Sequence, residues 1–236
     1  MISVIIPAYN EEKIIGTTID HIQSYLESNG YEYELIIAND GSTDRTAEIA
    51  KMHAGQRTYV FNNDEQRTRR KILNKVIPTT HGEIVVFMDA DLSTDLSDFG
   101  TLVSAIKNGA DIATGSRWLK GSVVKRSIQR KFISYVYNKI VAFLFSTNLT
   151  DHVCGFKAFK RDAILKIITE MGLEKNNGLA WDAEVFIRAR RAGMKIVEIP
   201  IKWTAGRHTN FSYIQDIPAT AFYLLKLFVE LRLLGK

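Results

Sequence analysis

Short continuous apolar runs alternate along this chain with segments whose apolar residues return every three or four positions. Ile2 to Ile6 is a β-branched run closed by Pro7, which predicts a strand that stops hard. Ile15, Ile19, Ile22 and Leu26 then mark one helix face, and Gly30 ends it. Leu35 to Ala38 predicts a second buried strand. It runs into Asn39-Asp40-Gly41-Ser42-Thr43-Asp44, turn chemistry leading to a helix cap, with the helix reaching about His53. Thr58 to Phe61 predicts a third strand, and a basic helical segment from about Gln66 to Val76 leads to the run Ile84 to Met88. A helix with Leu102, Val103 and Ile106 on one face follows, then a strand over Asp111 to Thr114.

The second half changes character. Lys125 to Asn148 predicts a long helix that opens basic and turns aromatic and aliphatic. Asp151 to Phe159 reads as loop and strand, and Trp181-Asp182-Ala183-Glu184 opens another helix. Strands are expected over Lys195 to Ile199 and Ile201 to Thr204, split at Pro200, and an almost wholly apolar helix over Ala221 to Leu234. Strands alternating with helices predict an α/β fold with a largely parallel, doubly wound sheet. A single domain over 1–236 is expected, with residues 1–118 as a nucleotide half and 119–236 as an acceptor and membrane-facing half.

The run Ile84 to Met88 ends in Asp89-Ala90-Asp91. Residues i and i+2 of a strand point the same way, so two carboxylates should stand together where open α/β sheets bind ligands. Like charges so close call for a cation, and oxygen-only ligands favour Mg²⁺ or Mn²⁺, ions that also hold phosphates. In isolation Asp-x-Asp is a weak signal, and a helix-capping turn explains it better. Two further polar strand ends, Asn10-Glu11 and Asn39-Asp40, fall on the same expected edge and favour a nucleoside-diphosphate pocket with a metal. Neither a Gly-x-Gly-x-x-Gly turn nor a Walker-type loop occurs.

Composition adds little except at the surface. With 236 residues, 46% of them apolar and 24% charged, the chain has material for a sizeable core. Its one cysteine, Cys154, excludes an internal disulfide and fits a reducing compartment. The opening residues lack the pattern of a signal peptide, and no apolar run is long enough to span a bilayer. The net charge of +5 gathers at Arg67 to Lys71, Lys120 to Lys131 and Arg188 to Arg191, which suits an anionic partner.

Together these stretches resemble the family 2 glycosyltransferases of GT-A fold, most of all the synthases that charge polyprenyl (dolichyl) phosphate with a sugar, and their glucose branch in particular. The resemblance covers nearly the whole chain. It rests on Ser3-Val4-Ile5-Ile6-Pro7-Ala8-Tyr9-Asn10-Glu11-Glu12, on Asn39 to Asp44, on Asp89-Ala90-Asp91-Leu92-Ser93, on Gly115-Ser116-Arg117 with Arg130-Lys131-x-x-Ser134, and on Asp151-x-x-Cys154-Gly155-Phe156-Lys157 with Trp181 to Glu184. It implies Pro7, Ala8, Tyr9, Glu11, Asn39, Asp40, Arg69, Asp89 and Ala90 around the nucleotide sugar, with Asp40 on the base. It implies Asp91, assisted by Asp89, as metal ligand, and Arg117, Arg130, Ser134, Asp151 and Asp182 around the acceptor. Where the family carries Gly-Lys-Gly, this chain reads Thr68-Arg69-Arg70-Lys71, so Arg69 is the residue left to keep the positive charge.

The implied reaction moves a hexose, with inversion, from a nucleoside-diphosphate sugar to a polyprenyl phosphate. UDP-glucose is the favoured donor, ahead of UDP-N-acetylhexosamine and GDP-mannose. Asp89, Asp91, Arg117 and Arg130 are the catalytic candidates. The phosphate nucleophile is already anionic and needs positioning more than a base. The expected setting is peripheral, on the cytoplasmic face of a membrane, with Lys125 to Phe145 and Ala221 to Leu234 as interfacial helices or, alternatively, as core or a homodimer contact. A family member with a soluble or polysaccharide acceptor would need a catalytic base, for which Asp182 or Glu184 could serve. For Asp182 a helix N-cap is an equal reading, and Glu184 also suits an ion pair with Arg188. A basic module binding nucleic acid or membrane is the third reading, and nucleic acid is not the expected partner because that reading leaves the acidic strand ends unexplained.

Overall fold

The computed structural model describes residues 1–63, 71–172, 180–206 and 213–233. Arg69 and its basic neighbours from 64 to 70 lie outside the described residues. The first half contains β1 (Ile2–Ala8), α1 (Ile15–Ser28), β2 (Tyr33–Asp40), α2 (Thr46–Met52), β3 (Thr58–Asn63), α3 (Lys71–Val76), β4 (Ile84–Met88), α4 (Phe99–Lys107) and β5 (Ile112–Ser116). The second contains β6 (Val123–Lys125), α5 (Ile128–Phe145), β7 (Phe156–Lys160), α6 (Arg161–Met171), α7 (Trp181–Arg191), β8 (Ile196–Pro200), β9 (Lys202–Thr204) and α8 (Tyr213–Phe228), which runs into a π-helical turn, Val229–Leu233.

Seven strands form one sheet in the order β3-β2-β1-β4-β7-β5-β8, parallel except for β7, which is antiparallel to both β4 and β5. Period-two alternation divides the core between the two faces. Val4, Ile6, Val86 and Met88 meet α1 and α4 through Ile15, Ile19, Ile22, Phe99 and Leu102. Ile5, Val85 and Phe87 meet α3, α6 and α7 through Ile72, Leu73, Ile164, Ile168, Trp181 and Phe186. A third cluster joins α5 to α8, with Val141 and Phe145 against Leu224, Leu227 and Leu231.

Several elements differ from the expectation. β2 continues past Ala38 through Asn39 and Asp40, because side-chain amides extend its ladder to β3: Asn39 donates to Asn62 and Asn63 donates to Asp40, each at 3.1 Å. The long helix is shorter than Lys125 to Asn148. Ser127 caps it by accepting the Arg130 N–H at 3.4 Å, and Ser146 ends it in the left-handed region at φ 53°. Lys125 belongs instead to β6, whose three residues show no apolar pattern and are fixed by pairing with β9.

Candidate active site

β1 is the switch point of the sheet: β2 and β3 extend to one side, β4 to the other. Because β2, β1 and β4 are parallel, their carboxyl ends lie on one edge, and a crevice there is where such sheets bind ligands. The loops after β1 and β2 are joined side chain to backbone. Ser42 accepts from the Asn10 N–H at 3.0 Å, Asn10 accepts from the Thr43 N–H at 2.8 Å, and Thr46 accepts from the Glu11 N–H at 2.7 Å. Asn10 takes φ 55° to make this joint, a conformation asparagine tolerates. Asp44, rather than Asp40, makes the turn into α2: it accepts the Thr46 N–H at 2.9 Å and the Glu12 N–H at 3.2 Å, and these bonds outweigh burial to hold its carboxyl below the usual range. Asp40 is buried beside Asn63 at the end of β2. Pro7 and Tyr9 are half-buried along the same edge, and Ala8 is buried.

Asp89 and Asp91 follow β4 at that edge, Asp89 half-buried and Asp91 exposed. Thr18 of α1 donates to the Ala90 carbonyl at 2.7 Å and fixes the loop between them. Asp91 is oriented by Ser93, whose N–H and Oγ–H donate to its two oxygens at 3.0 and 2.6 Å. Backbone backs both carboxylates. A side chain at Gly155 would overlap the Asp89 carboxylate, and one at Gly206 would overlap that of Asp91. Among the described residues no group of three or more His, Cys, Asp or Glu could hold a metal. Two aspartates nonetheless fit Mg²⁺ or Mn²⁺. The donors are oxygen only, each Asp91 oxygen keeps a further lone pair beside its Ser93 bond, and such ions complete their shell with water and substrate phosphates.

β9 runs along the loop after Asp91. Asp95 donates to the Lys202 carbonyl at 2.9 Å, Thr204 to the Ser93 carbonyl at 2.8 Å, and Ala205 to the Lys125 carbonyl of β6 at 3.0 Å. The β6–β9 ribbon thus joins the segment before α5 to the loop after Asp91.

Residues 3–168 match the family described as "Glycosyl transferase family 2". The chain belongs to that family. It is 33% identical over 237 residues to glycosyltransferase AglD of Haloferax volcanii, covering 98% of this chain and 37% of the relative. It is 30% identical over 220 residues to the dolichyl-phosphate beta-glucosyltransferase of Homo sapiens, covering 86% of this chain and 67% of that protein. The chain therefore spans little more than a third of the first of these relatives and about two thirds of the second. Its fold is that of the GT-A glycosyltransferases. Glucosyl-3-phosphoglycerate synthase of Mycobacterium tuberculosis, crystallised with Mn²⁺ and UDP-glucose, superposes with a TM-score of 0.69 at 20% identity, over 96% of this chain and 77% of that one.

Beyond the joined loops after β1 and β2, the candidate site is bordered by the end of β5 and by the second half of the chain. Arg117 follows β5 and forms a bidentate pair with Asp151, Nε to Oδ2 at 2.7 Å and a terminal nitrogen to Oδ1 at 2.8 Å, while its own N–H also reaches Oδ2 at 3.1 Å. Both side chains are buried. Burial pushes the Asp151 carboxyl up, and the Arg117 charge and bonds more than reverse this. Arg117 remains fully charged, its outer face on the Trp203 ring at 5.4 Å. Arg130 is half-buried on the first turn of α5, with Ser134 one turn on, accepting from Asn138 at 3.5 Å.

Asp182 is not open to substrate. It is buried in an ion pair with Lys157 of β7 at 2.6 Å, and the same ammonium bonds the Cys154 carbonyl and lies between the rings of Phe87 and Phe186. Glu184 is buried as well, paired with Arg188 at 2.9 Å and accepting from Tyr223 of α8 at 2.6 Å. His152 is enclosed by Thr147 and Asn138 against the Phe186 ring, and burial lowers its pKa to about 4, so it is neutral. Burial pushes the Cys154 thiol up to about 12, which suits a packed side chain rather than a nucleophile. The sequence marked Lys157 and Trp203 only as parts of family motifs, and it did not show the ion pair of Lys157, the ring contacts of Trp118 and Trp203 with arginine, or the close-approach role of Gly155 and Gly206. The signal available was local: each tryptophan falls within a motif already marked by arginine or by a strand end.

Proposed function

We propose that the chain transfers glucose, with inversion, from UDP-glucose to the phosphate of a polyprenyl lipid, using a divalent ion held by Asp91 and Asp89. The observation that carries this reading is the state of the acids in the second half. Asp151, Asp182 and Glu184 are each buried in an ion pair, so none stands ready to deprotonate a hydroxyl. A phosphate acceptor needs no such base, because its oxygen arrives as an anion. The names of the dolichyl-phosphate beta-glucosyltransferase relatives support the same acceptor and sugar, and the Mn²⁺ and UDP-glucose of the Mycobacterium tuberculosis synthase support the donor class.

When bound, the metal ion would supply Lewis-acid neutralisation of the charge that grows on the departing diphosphate. Asp91, oriented by Ser93, and Asp89, backed by Gly155, would hold it. The joined loops of Asn10 and Thr43 place the nucleotide edge, and Asp40 takes the base. The cationic groups beyond the metal pair position the acceptor phosphate for in-line attack. A long lipid also requires a membrane. Among the described residues no helix is long and apolar enough to cross one, so the contact proposed is peripheral, through the outer faces of α5 and α8.

The test is transfer of labelled glucose from UDP-glucose to detergent-dispersed polyprenyl phosphate, with 3-phosphoglycerate and a neutral sugar as competing acceptors. Product on the lipid alone supports the proposal. No lipid product with any nucleotide sugar would overturn it. Asp91→Asn is expected to abolish the gain in UDP affinity that Mn²⁺ produces in a calorimetric titration, leaving metal-free UDP binding unchanged.

A further inference from the structure

One guanidinium in the second half has an enclosed nitrogen that no acceptor reaches among the described residues. Arg126 sits between the end of β6 and the Ser127 cap of α5, and its guanidinium lies over the Trp118 ring at 4.9 Å. Among the described residues its Nε is enclosed with no acceptor, and so is the indole Nε1 of Trp118. Arg117, its charged neighbour, is already committed to Asp151. Two buried donors without partners are unusual, and each costs free energy until an acceptor reaches it or its group. The electrostatics agree: burial, then repulsion by Arg117, lowers the Arg126 pKa to about 10. An anion beside the guanidinium would relieve both.

The position is also apt. Lys125 accepts the Ala205 N–H at 3.0 Å, and the next residue, Gly206, backs the Asp91 carboxylate. Arg126 therefore stands one ribbon away from the metal pair, at the mouth of α5 and four residues before Arg130. We propose that Arg126, presented on the face of Trp118, is a further residue that binds the phosphate of the anionic acceptor, together with Arg130. This rests on the polyprenyl-phosphate reading and refines it, since the sequence alone placed that role on Arg117 and Arg130. In this arrangement the Arg117–Asp151 pair serves as framework. It holds the segment after β5 rigid and leaves Arg126 and Arg130 to take the ligand. Stacking fixes the plane of the guanidinium, so its terminal nitrogens offer the forked geometry that phosphate accepts.

The experiment uses farnesyl phosphate as a short polyprenyl phosphate, with UDP-glucose and Mn²⁺, in steady-state kinetics. Arg126→Gln is expected to raise the acceptor KM about tenfold or more, the loss of a charge-assisted hydrogen bond, while the UDP-glucose KM stays at the wild-type value. Arg126→Lys keeps the charge without the fork and is expected to fall between the two. It carries the test if the Gln variant does not fold. An unchanged acceptor KM in these variants would overturn the inference alone. So would a parallel loss of Mn²⁺-dependent UDP binding, which would mark Arg126 as structural. Failure of the unaltered chain to glucosylate any polyprenyl phosphate would overturn the underlying function, and the inference with it.

Discussion

At Gly155 and Gly206 the backbone itself forms the back wall of Asp89 and Asp91, the pair proposed to hold the metal. Both contacts cross from the second half of the chain to the loop after β4, and at both positions a methyl group would overlap a carboxylate. Such neighbours orient metal ligands, and disturbing them typically costs about 10- to 100-fold in metal affinity. Gly155→Ala is accordingly expected to weaken Mn²⁺-dependent UDP binding by about that factor while metal-free UDP binding holds. Gly55→Ala, at a site where a side chain meets open space, serves as the control and should change neither. The place of the aspartates was legible in the sequence, because a buried apolar run that stops at Met88 puts both just past a strand end. Their glycine supports were not, since nothing local distinguishes a glycine that faces a distant carboxylate from one that turns a loop. The same limit applies to Arg117. Its type and its place after a strand were readable, but the bidentate Asp151 that commits it comes from a loop whose path depends on the whole sheet.

At the scale of elements, the least expected feature is β7. An antiparallel strand enters between β4 and β5 of an otherwise parallel sheet, and it brings a lysine into the interior. Lys157 is opposite Phe87 in register, and its ammonium closes on Asp182 at the start of α7. This pair fastens α7 to the strand whose preceding residue, Gly155, backs Asp89. Removing one partner of a buried pair leaves an uncompensated charge and costs about 3–5 kcal/mol. Asp182→Ala should lose stability of that order in urea denaturation, and the double variant Lys157→Met with Asp182→Leu should recover most of it. A single variant of wild-type stability with a raised acceptor KM would instead assign Asp182 to the substrate. The parallel strands were legible as continuous apolar runs, and α1 and α4 by their spacing, whereas α6 went unread although Ile164, Ile167, Ile168 and Met171 give it a helical spacing. β6 was not legible, because three residues without apolar alternation acquire their strand only from β9.

For the whole molecule, the open question is what covers the outside of the α5–α8 pair. The inner faces of these helices pack together through Val141, Phe145, Leu224 and Leu227. Their outer faces do not: Ile128, Phe132, Val136, Ile140 and Phe143 form one stripe along α5, with Phe132 at 68% and Phe143 at 85% exposure, and Phe222, Leu225 and Val229 form another on α8. A basic-then-aromatic helix was readable from the sequence, but not which half of it would be covered, since that depends on where α8 lands. A protein rarely leaves so much apolar surface to water without a partner for it. The exposed lysines 131 and 139 on α5, with Lys125 at the end of β6 just before it, favour an anionic bilayer as that partner over a second copy of the same positively charged chain. Phe132→Ser combined with Phe143→Ser should then cut co-sedimentation with phosphatidylserine-containing vesicles several-fold. It should leave turnover with detergent-dispersed farnesyl phosphate at the wild-type rate, because neither ring lies at the metal pair. Binding of the unaltered chain should weaken as salt rises, as expected where charge assists apolar insertion. If the double variant instead shifts the sedimentation coefficient of the free protein and leaves vesicle binding intact, the stripe is a contact between copies and the bilayer must be met elsewhere.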